Sequence, residues 1–308
     1  MPEAMPGGLA RDRRDNDDYG NPDPNPEWRR VDWREHLNRV SLPGAEVNYV
    51  ELGQGDPLLF VHGISGSWQN WLETLPHFAR GHRVVAPDLP GFGASPMPSW
   101  PIDMPAYGRL VHDLCEKLGL GPETTIVGNS LGGFVAAEAV TSSPARFARM
   151  VLVSAAGIIN TWAPEQRAVV TAYAWKTLSP VFARRSHEIV ARPRLRQAVF
   201  GRTMRYPRRL SAELLYEQIS NGLSQCPGFG EALHAAISHD LRDRLGSIEI
   251  PTLLVWGFDD RIIPVAAALS YRRRIPRARL EIFERTGHVP QLERPARFNA
   301  LLEDFLDG

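Results

Sequence analysis

The run Gly128-Asn129-Ser130-Leu131-Gly132 sets a serine between two glycines at the junction of two contrasting segments. Before it, Thr124-Thr125-Ile126-Val127 is short and β-rich, and after it Gly133 to Val140 is helical in character. A serine on so tight a strand-to-helix turn is held in strained backbone angles, with its hydroxyl pushed into a cleft and a helix N-terminus behind it. That is where a developing oxyanion is best stabilised. A serine hydroxyl becomes a useful nucleophile only when a base takes its proton, and an imidazole can do so near neutral pH. A buried carboxylate on the other ring nitrogen fixes the tautomer the imidazole must present.

Both partners occur later, each just after an apolar run. Thr252 to Trp256 is followed by Gly257-Phe258-Asp259-Asp260, and Arg279 to Phe283 by Thr286-Gly287-His288-Val289-Pro290. Strand ends on one side of an open α/β sheet form the crevice where ligands bind, so Ser130, one aspartate and His288 can converge there. The negative oxygen of a tetrahedral intermediate also needs preorganised amides. One is expected from Leu131, at the start of the helix. The other is expected from Ile64, in the loop His62-Gly63-Ile64-Ser65-Gly66. His62 is expected to brace that turn by hydrogen bonding, with a second catalytic histidine as the alternative.

The elements that must position these groups follow from patterning. Pro57 to His62 is continuously apolar, as in a strand buried on both faces, and Glu46 to Leu52 alternates as a half-exposed strand. Trp68 to Arg80 is expected as a helix, His82 to Ala86 as a strand, and Asp103 to Leu120 as an amphipathic helix stopped by Gly121-Pro122. A further strand is expected over Met150 to Ser154, and a closing helix from Pro295 to Phe305. Strands alternating with helices imply an α/β fold with a mostly parallel sheet covered on both faces.

Residues 1–30 are rich in Pro, Gly, Asp, Arg and Asn and are expected as a disordered or loosely packed arm. Residues 31–157 are expected to form the first part of the core and 247–308 the second. Between them, 158–246 carries helical patterns punctuated by prolines and is expected as a helical cap.

Among the 308 residues, 43% are hydrophobic and 23% charged, with zero net charge. That is an ordinary globular composition, and nothing global points to nucleic acid or an anionic membrane. The basic stretch from Arg192 to Arg209 is expected as a solvated helix face. Cys115 and Cys226 are far apart, lack zinc-ligand spacing and make no disulfide framework. No apolar run approaches a membrane span of roughly 18 residues. The acidic, polar segment Arg11 to Asp18 holds no secretory hydrophobic core. A cytoplasmic protein is expected.

Five motifs in order resemble the α/β-hydrolase superfamily. They are His62-Gly63, Asp88 to Ser95, Gly128 to Gly133, Trp256 to Asp260, and Gly287 to Glu293. The resemblance covers roughly residues 45 to 305 apart from the cap. It implies an eight-stranded, mostly parallel sheet with the cap inserted after the sixth strand, and a Ser-Asp-His triad. The family spacing places the acid three residues after the glycine and four before the proline, which selects Asp260 over Asp259. Asp88 is expected to bond loop amides, and Glu138 and Glu293 to be ordinary polar helix residues.

The resemblance implies neither a metal nor an organic cofactor. Ser130 in place of an aspartate disfavours epoxide hydrolases and haloalkane dehalogenases. Carbon–carbon bond hydrolases acting on dienone products of aromatic ring cleavage often share the Gly-Asn-Ser elbow. They usually carry a glycine-rich, proline-containing oxyanion loop and a tryptophan after the histidine, where this chain has Ile64 and Val289. The expectation is therefore a carboxylic ester hydrolase acting on a small or medium ester through an acyl-enzyme, with carbon–carbon hydrolysis as the alternative. One or two of Trp68, Trp71, Trp100, Trp162 and Trp175 are expected at the pocket.

Overall fold

The structure, a computed structural model, describes residues 18–158 and 180–308. Trp162, Trp175 and the first part of the expected cap lie outside the described residues. Eight strands form one sheet: β1 (Leu37–Leu42), β2 (Ala45–Leu52), β3 (Pro57–Val61), β4 (Arg83–Pro87), β5 (Thr125–Asn129), β6 (Arg149–Val153), β7 (Thr252–Gly257) and β8 (Ala278–Phe283). Their spatial order is β1-β2-β4-β3-β5-β6-β7-β8. The β1–β2 and β2–β4 pairs are antiparallel, and every pair from β4–β3 to β7–β8 is parallel.

Parallel strands carry their connections across the faces of the sheet, so both faces must be covered and the strands read as continuous apolar runs. All five residues of β3 and of β5 are buried. Alternation then divides the core in two. Leu59, Val61, Ile126, Leu152, Leu254 and Trp256 face one layer, and Leu58, Phe60, Val127, Val151, Val153 and Val255 the other. The first layer is closed by α2 (Met104–Leu118) and α3 (Leu131–Ser142), together with α8 (Val265–Arg274). The second is closed by α1 (Leu75–Phe78), α9 (Pro290–Glu293), α10 (Pro295–Asp307) and part of the cap.

Local chemistry sets the ends of these elements. Asp103 accepts the amide of Ala106 at 2.6 Å to start α2, and Gly119 ends it in the left-handed region at φ 63°. The single helix expected over Trp68 to Arg80 is instead a 3₁₀ turn at Trp68–Trp71 followed by α1. Pro76, in the first turn of α1, has no amide hydrogen to continue a preceding helix. Trp68 and Trp71 are buried, and Trp71 packs against Phe60 at a ring separation of 5.2 Å.

Within 180–246 no described residue is in a strand. Helix α4 runs over 180–191, followed by α5 (Pro193–Phe200), α6 (Ala212–Glu217) and α7 (Phe229–Ser238). Helix α6 runs on as a π-helical turn, Gln218–Leu223. The inserted cap therefore stands between β6 and β7. Leu214, Leu215 and Ile219 join its inner side to the second core layer. Glu138, expected as an ordinary polar residue, is buried on α3. It accepts two hydrogen bonds from Arg244, at 2.7 and 2.8 Å, and lies 2.9 Å from His239. The charged pair ties the return of the cap to the elbow helix.

The arm is also more ordered than expected from Asp18 onward. Tyr19 and Trp28 are buried. Trp28 donates to Glu73 at 3.0 Å, and Asn21 donates to the same carboxylate at 2.7 Å. Two apolar aromatics in an otherwise polar stretch are enough to pin it against the second core layer.

Candidate active site

Strand register explains how residues far apart in sequence meet. Val61 is paired with Gly128, so the loop leaving β3 emerges beside the turn leaving β5. Gly257 is paired with Phe283, so the loops after β7 and β8 also emerge side by side. Between the two pairs lies β6.

Ser130 sits at the N-cap of α3 with φ 56° and ψ −115°, a strained conformation for a residue with a side chain. The turn closes only because its neighbours are glycines. A Cβ on Gly128 would overlap the carbonyl oxygen of Gly132, and one on Gly132 would overlap the carbonyl oxygen of Val61. The Ser130 amide donates to Val153 at 2.9 Å, and the Asn129 side chain donates to the same carbonyl at 3.0 Å. Asn129 also donates to the carbonyl oxygen of His288 at 3.3 Å, which brings the histidine loop against the elbow.

The His288 Nδ1 lies 2.8 Å from Asp260 Oδ2, with both side chains almost fully removed from solvent. The other carboxylate oxygen of Asp260 accepts the amides of Ile262 and Ile263 at 2.8 and 3.0 Å. A carboxylate fixed by two amides can hold an imidazole in one tautomer, with Nε2 left for proton transfer. Asp259 points elsewhere and pairs with Arg205 of the cap at 3.2 Å. This pairing takes Arg205 out of the solvated basic face expected for that stretch.

Leu131, buried, opens α3 directly after the serine. Ile64 is half-buried against the first core layer. The Ile64 loop abuts the elbow, since an added Cβ on Gly63 would stand 3.2 Å from that of Ser130. Ser65 is in the left-handed region at φ 56°, and a Cβ on Gly66 would collide with the side chain of Asn70. Asn70 accepts the Gly63 amide at 3.4 Å and donates to Gln218 of the cap at 2.6 Å. Gln218 in turn donates to the Gln69 carbonyl at 2.9 Å. The amides of Asn70 and Gln218 were not singled out from the sequence, because only the folded cap brings residues 148 apart into contact.

His62 is fully buried between two backbone partners. Its Nδ1 lies 2.7 Å from the carbonyl oxygen of Gly63, and its Nε2 accepts the Leu89 amide at 2.9 Å. Burial holds its pKa down to about 4, so it stays neutral with both nitrogens engaged. Asp88 accepts the amides of Trp68 and Ala94 and the side chain of Asn48, at 2.8 to 2.9 Å. Burial nevertheless raises its pKa to about 6.

Among the described residues no group of three or more His, Cys, Asp or Glu could hold a metal ion. No helix among them is long and apolar enough to cross a membrane.

The family model of the alpha/beta hydrolase fold matches residues 56–295. The chain belongs to this family. This α/β hydrolase is 32% identical over 289 residues to the 2-hydroxymuconate semialdehyde hydrolase of Pseudomonas sp. (strain CF600), covering 87% of the chain and 92% of that protein. It is 30% identical over 281 residues to the 2-hydroxy-6-oxo-6-phenylhexa-2,4-dienoate hydrolase of Comamonas testosteroni, covering 88% and 94%. Among solved structures it resembles the meta-cleavage product hydrolase of Pseudomonas fluorescens IP01. That match has a TM-score of 0.71 and 25% identity, covering 89% of this chain and 98% of that one.

These relatives overturn the expected carboxylic ester hydrolase and its small-molecule ester substrate. The ester was expected because Ile64 and Val289 stand where carbon–carbon bond hydrolases usually carry a glycine-rich, proline-containing loop and a tryptophan. Val289 is buried in the second core layer, and Ile64 packs on the first. The loop after β3 turns tightly on Gly63, Gly66 and a left-handed Ser65.

Proposed function

We propose that this α/β hydrolase cleaves a carbon–carbon bond in a dienone product of aromatic ring cleavage. The observation that carries the reading is the 32% identity, over 87% of the chain, to a hydrolase named for such a product.

In this reading Ser130 is the nucleophile, His288 the general base and acid, and Asp260 the carboxylate that orients the imidazole. The amides of Ile64 and Leu131 hold the oxyanion. Carbon is a poor leaving group unless the electron pair of the breaking bond has somewhere to go. The dienol must therefore first lose its hydroxyl proton and take one on carbon, giving a ketone conjugated to a carbon–carbon double bond. Attack of Ser130 on the remote carbonyl then forms a tetrahedral adduct. Its collapse breaks the carbon–carbon bond and sends the electron pair into the conjugated ketone, and the dienolate so formed takes from His288 the proton that Ser130 gave up. Water, deprotonated by His288, releases the acyl group as a carboxylic acid. Net, one water is consumed and one carbon–carbon bond is lost.

Ester cleavage needs only an alkoxide leaving group, whereas this reaction needs polar groups for a second carbonyl. Asn70 and Gln218, bonded to each other beside the oxyanion loop, place neutral amides near it. A direct test follows the loss of the dienone chromophore and identifies both products. Release of the carboxylic acid and the dienol in equal amounts supports the reading, and an unchanged dienone refutes it.

A further inference from the structure

His288 has no rigid element of its own. It stands on a loop between β8 and α9, and its ring direction depends on how that loop is held. The backbone on both sides of it donates to one buried carboxylate. Glu293 Oε1 accepts the amide of Gly287 at 2.8 Å and that of Val289 at 3.3 Å. The amide of His288 itself donates to the carbonyl oxygen of Thr203 in the cap at 2.6 Å. Three successive amides of the loop are thus fixed by one side chain and one cap carbonyl.

The other oxygen of Glu293 is held by the arm and the cap. Oε2 accepts the Tyr19 hydroxyl at 2.7 Å and the amide of Arg205 at 2.7 Å. The Tyr19 hydroxyl in turn accepts the amide of Tyr206 at 2.8 Å, using its one donor and one of its lone pairs. The carbonyl of Glu293 accepts the Gly20 amide at 2.7 Å, so the strap is bonded at two adjacent residues. Glu293 is fully buried and all four of its partners donate. A carboxylate is the one group of this size that can accept from all four, since an amide or an acid would turn a hydrogen toward a donor.

We propose that Tyr19 and Glu293 act together as positioning residues for His288, which makes the N-terminal strap a working part of the active site. Tyr19 fixes one carboxylate oxygen against the cap, and the other oxygen then fixes Gly287 and Val289. A small displacement of a catalytic ring costs more in rate than in stability, because the reaction needs the nucleophile and base aligned. The inference rests on the proposed triad and not on the proposed substrate.

The test measures the rate at which a phosphonofluoridate modifies Ser130, which needs His288 in place but no particular substrate. Tyr19→Phe keeps the buried ring and removes only the hydroxyl. It should slow modification about tenfold, with a melting temperature within about 4 °C of wild type. Glu293→Gln should slow it by about 10²-fold. Arg29→Ala, on the same strap but exposed, should react at the wild-type rate. Where wild-type turnover is measurable, Tyr19→Phe should lower kcat and leave KM within about twofold. Modification of Tyr19→Phe at the wild-type rate would overturn the proposal even if Glu293→Gln failed to fold. Slowing of Arg29→Ala as much as Tyr19→Phe would overturn it too, by showing mere loosening of the strap. A wild-type protein that does not react at Ser130 would remove the triad itself, a failure visible before any variant is made.

Discussion

The two halves of the site are built differently. The serine half is made of backbone: β5, α3 and the glycines at 128 and 132 force Ser130 into its strained turn, with Asn129 as the one side chain spanning to its neighbours. The half proposed for acid–base work is made of buried side chains. Asp260 holds the ring of His288, Glu293 holds its backbone, and the cap adds Thr203 and Arg205. Strain can be encoded in five consecutive residues. A network around two buried carboxylates cannot, because its members come from the arm, the cap, the loop after β7 and α9. The first half is therefore local and stiff, while the second depends on whatever holds the cap and arm in place.

The comparison is broken most severely at its centre. Ser130→Ala should lower kcat by something on the order of 10⁵-fold while leaving the thermal unfolding curve nearly unchanged. A smaller loss, or labelling of another serine by a phosphonofluoridate, would dissolve the serine half as described. On the other half, Asp260→Asn should cost about 10³ to 10⁴-fold in kcat by presenting the wrong imidazole tautomer. Asp259→Asn, which loses only its contact with Arg205, should cost less than about threefold. A reversal of the two would mean that the 2.8 Å contact between Asp260 and His288 is not the catalytic one.

A subtler difference concerns pH. His62 braces the serine half as a neutral ring with its pKa held near 4, below the usual 6.5. Its contribution to stability is complete above about pH 6.5 and is lost as pH falls toward 4, because the unfolded state then binds the proton more readily. The full effect is on the order of 3 kcal/mol. Asp88, with its pKa raised to about 6 by burial, acts in the opposite sense between about pH 4 and 6. His62→Gln keeps Asp88 and removes the histidine. On passing from pH 7 to pH 4.5 the denaturant midpoint should therefore fall less, or rise, in the variant relative to wild type, and the same change in both proteins would refute the role given to His62.

The sequence made the strand ends legible because their apolar runs and turn glycines are contiguous, and the order of Ser130, Asp260 and His288 followed. Register then needed only the pairing of β3 with β5 and of β7 with β8. Glu138 and Glu293 were misread for a shared reason: a carboxylate looks alike in sequence whether water or four donors surround it. The packed arm was hidden too, since Tyr19 and Trp28 stand singly in a polar stretch and gain meaning only from Glu293 and Glu73. The choice of reaction was misjudged because two single residues, Ile64 and Val289, were weighed as departures from a pattern, while the likeness to the relatives runs over most of the chain. Val289 is buried in the second core layer and Ile64 packs on the first.

The central claim is the carbon–carbon reaction, and a competition of substrates on one preparation tests it. The purified protein is given a 2-hydroxy-6-oxo-2,4-dienoate and, separately, a p-nitrophenyl ester of short acyl chain, with Ser130→Ala as the blank for both. The account predicts kcat/KM at least about 10²-fold higher on the dienone, a difference of about 2.7 kcal/mol in transition-state binding. A higher kcat/KM on the ester, with the dienone left intact, would contradict it.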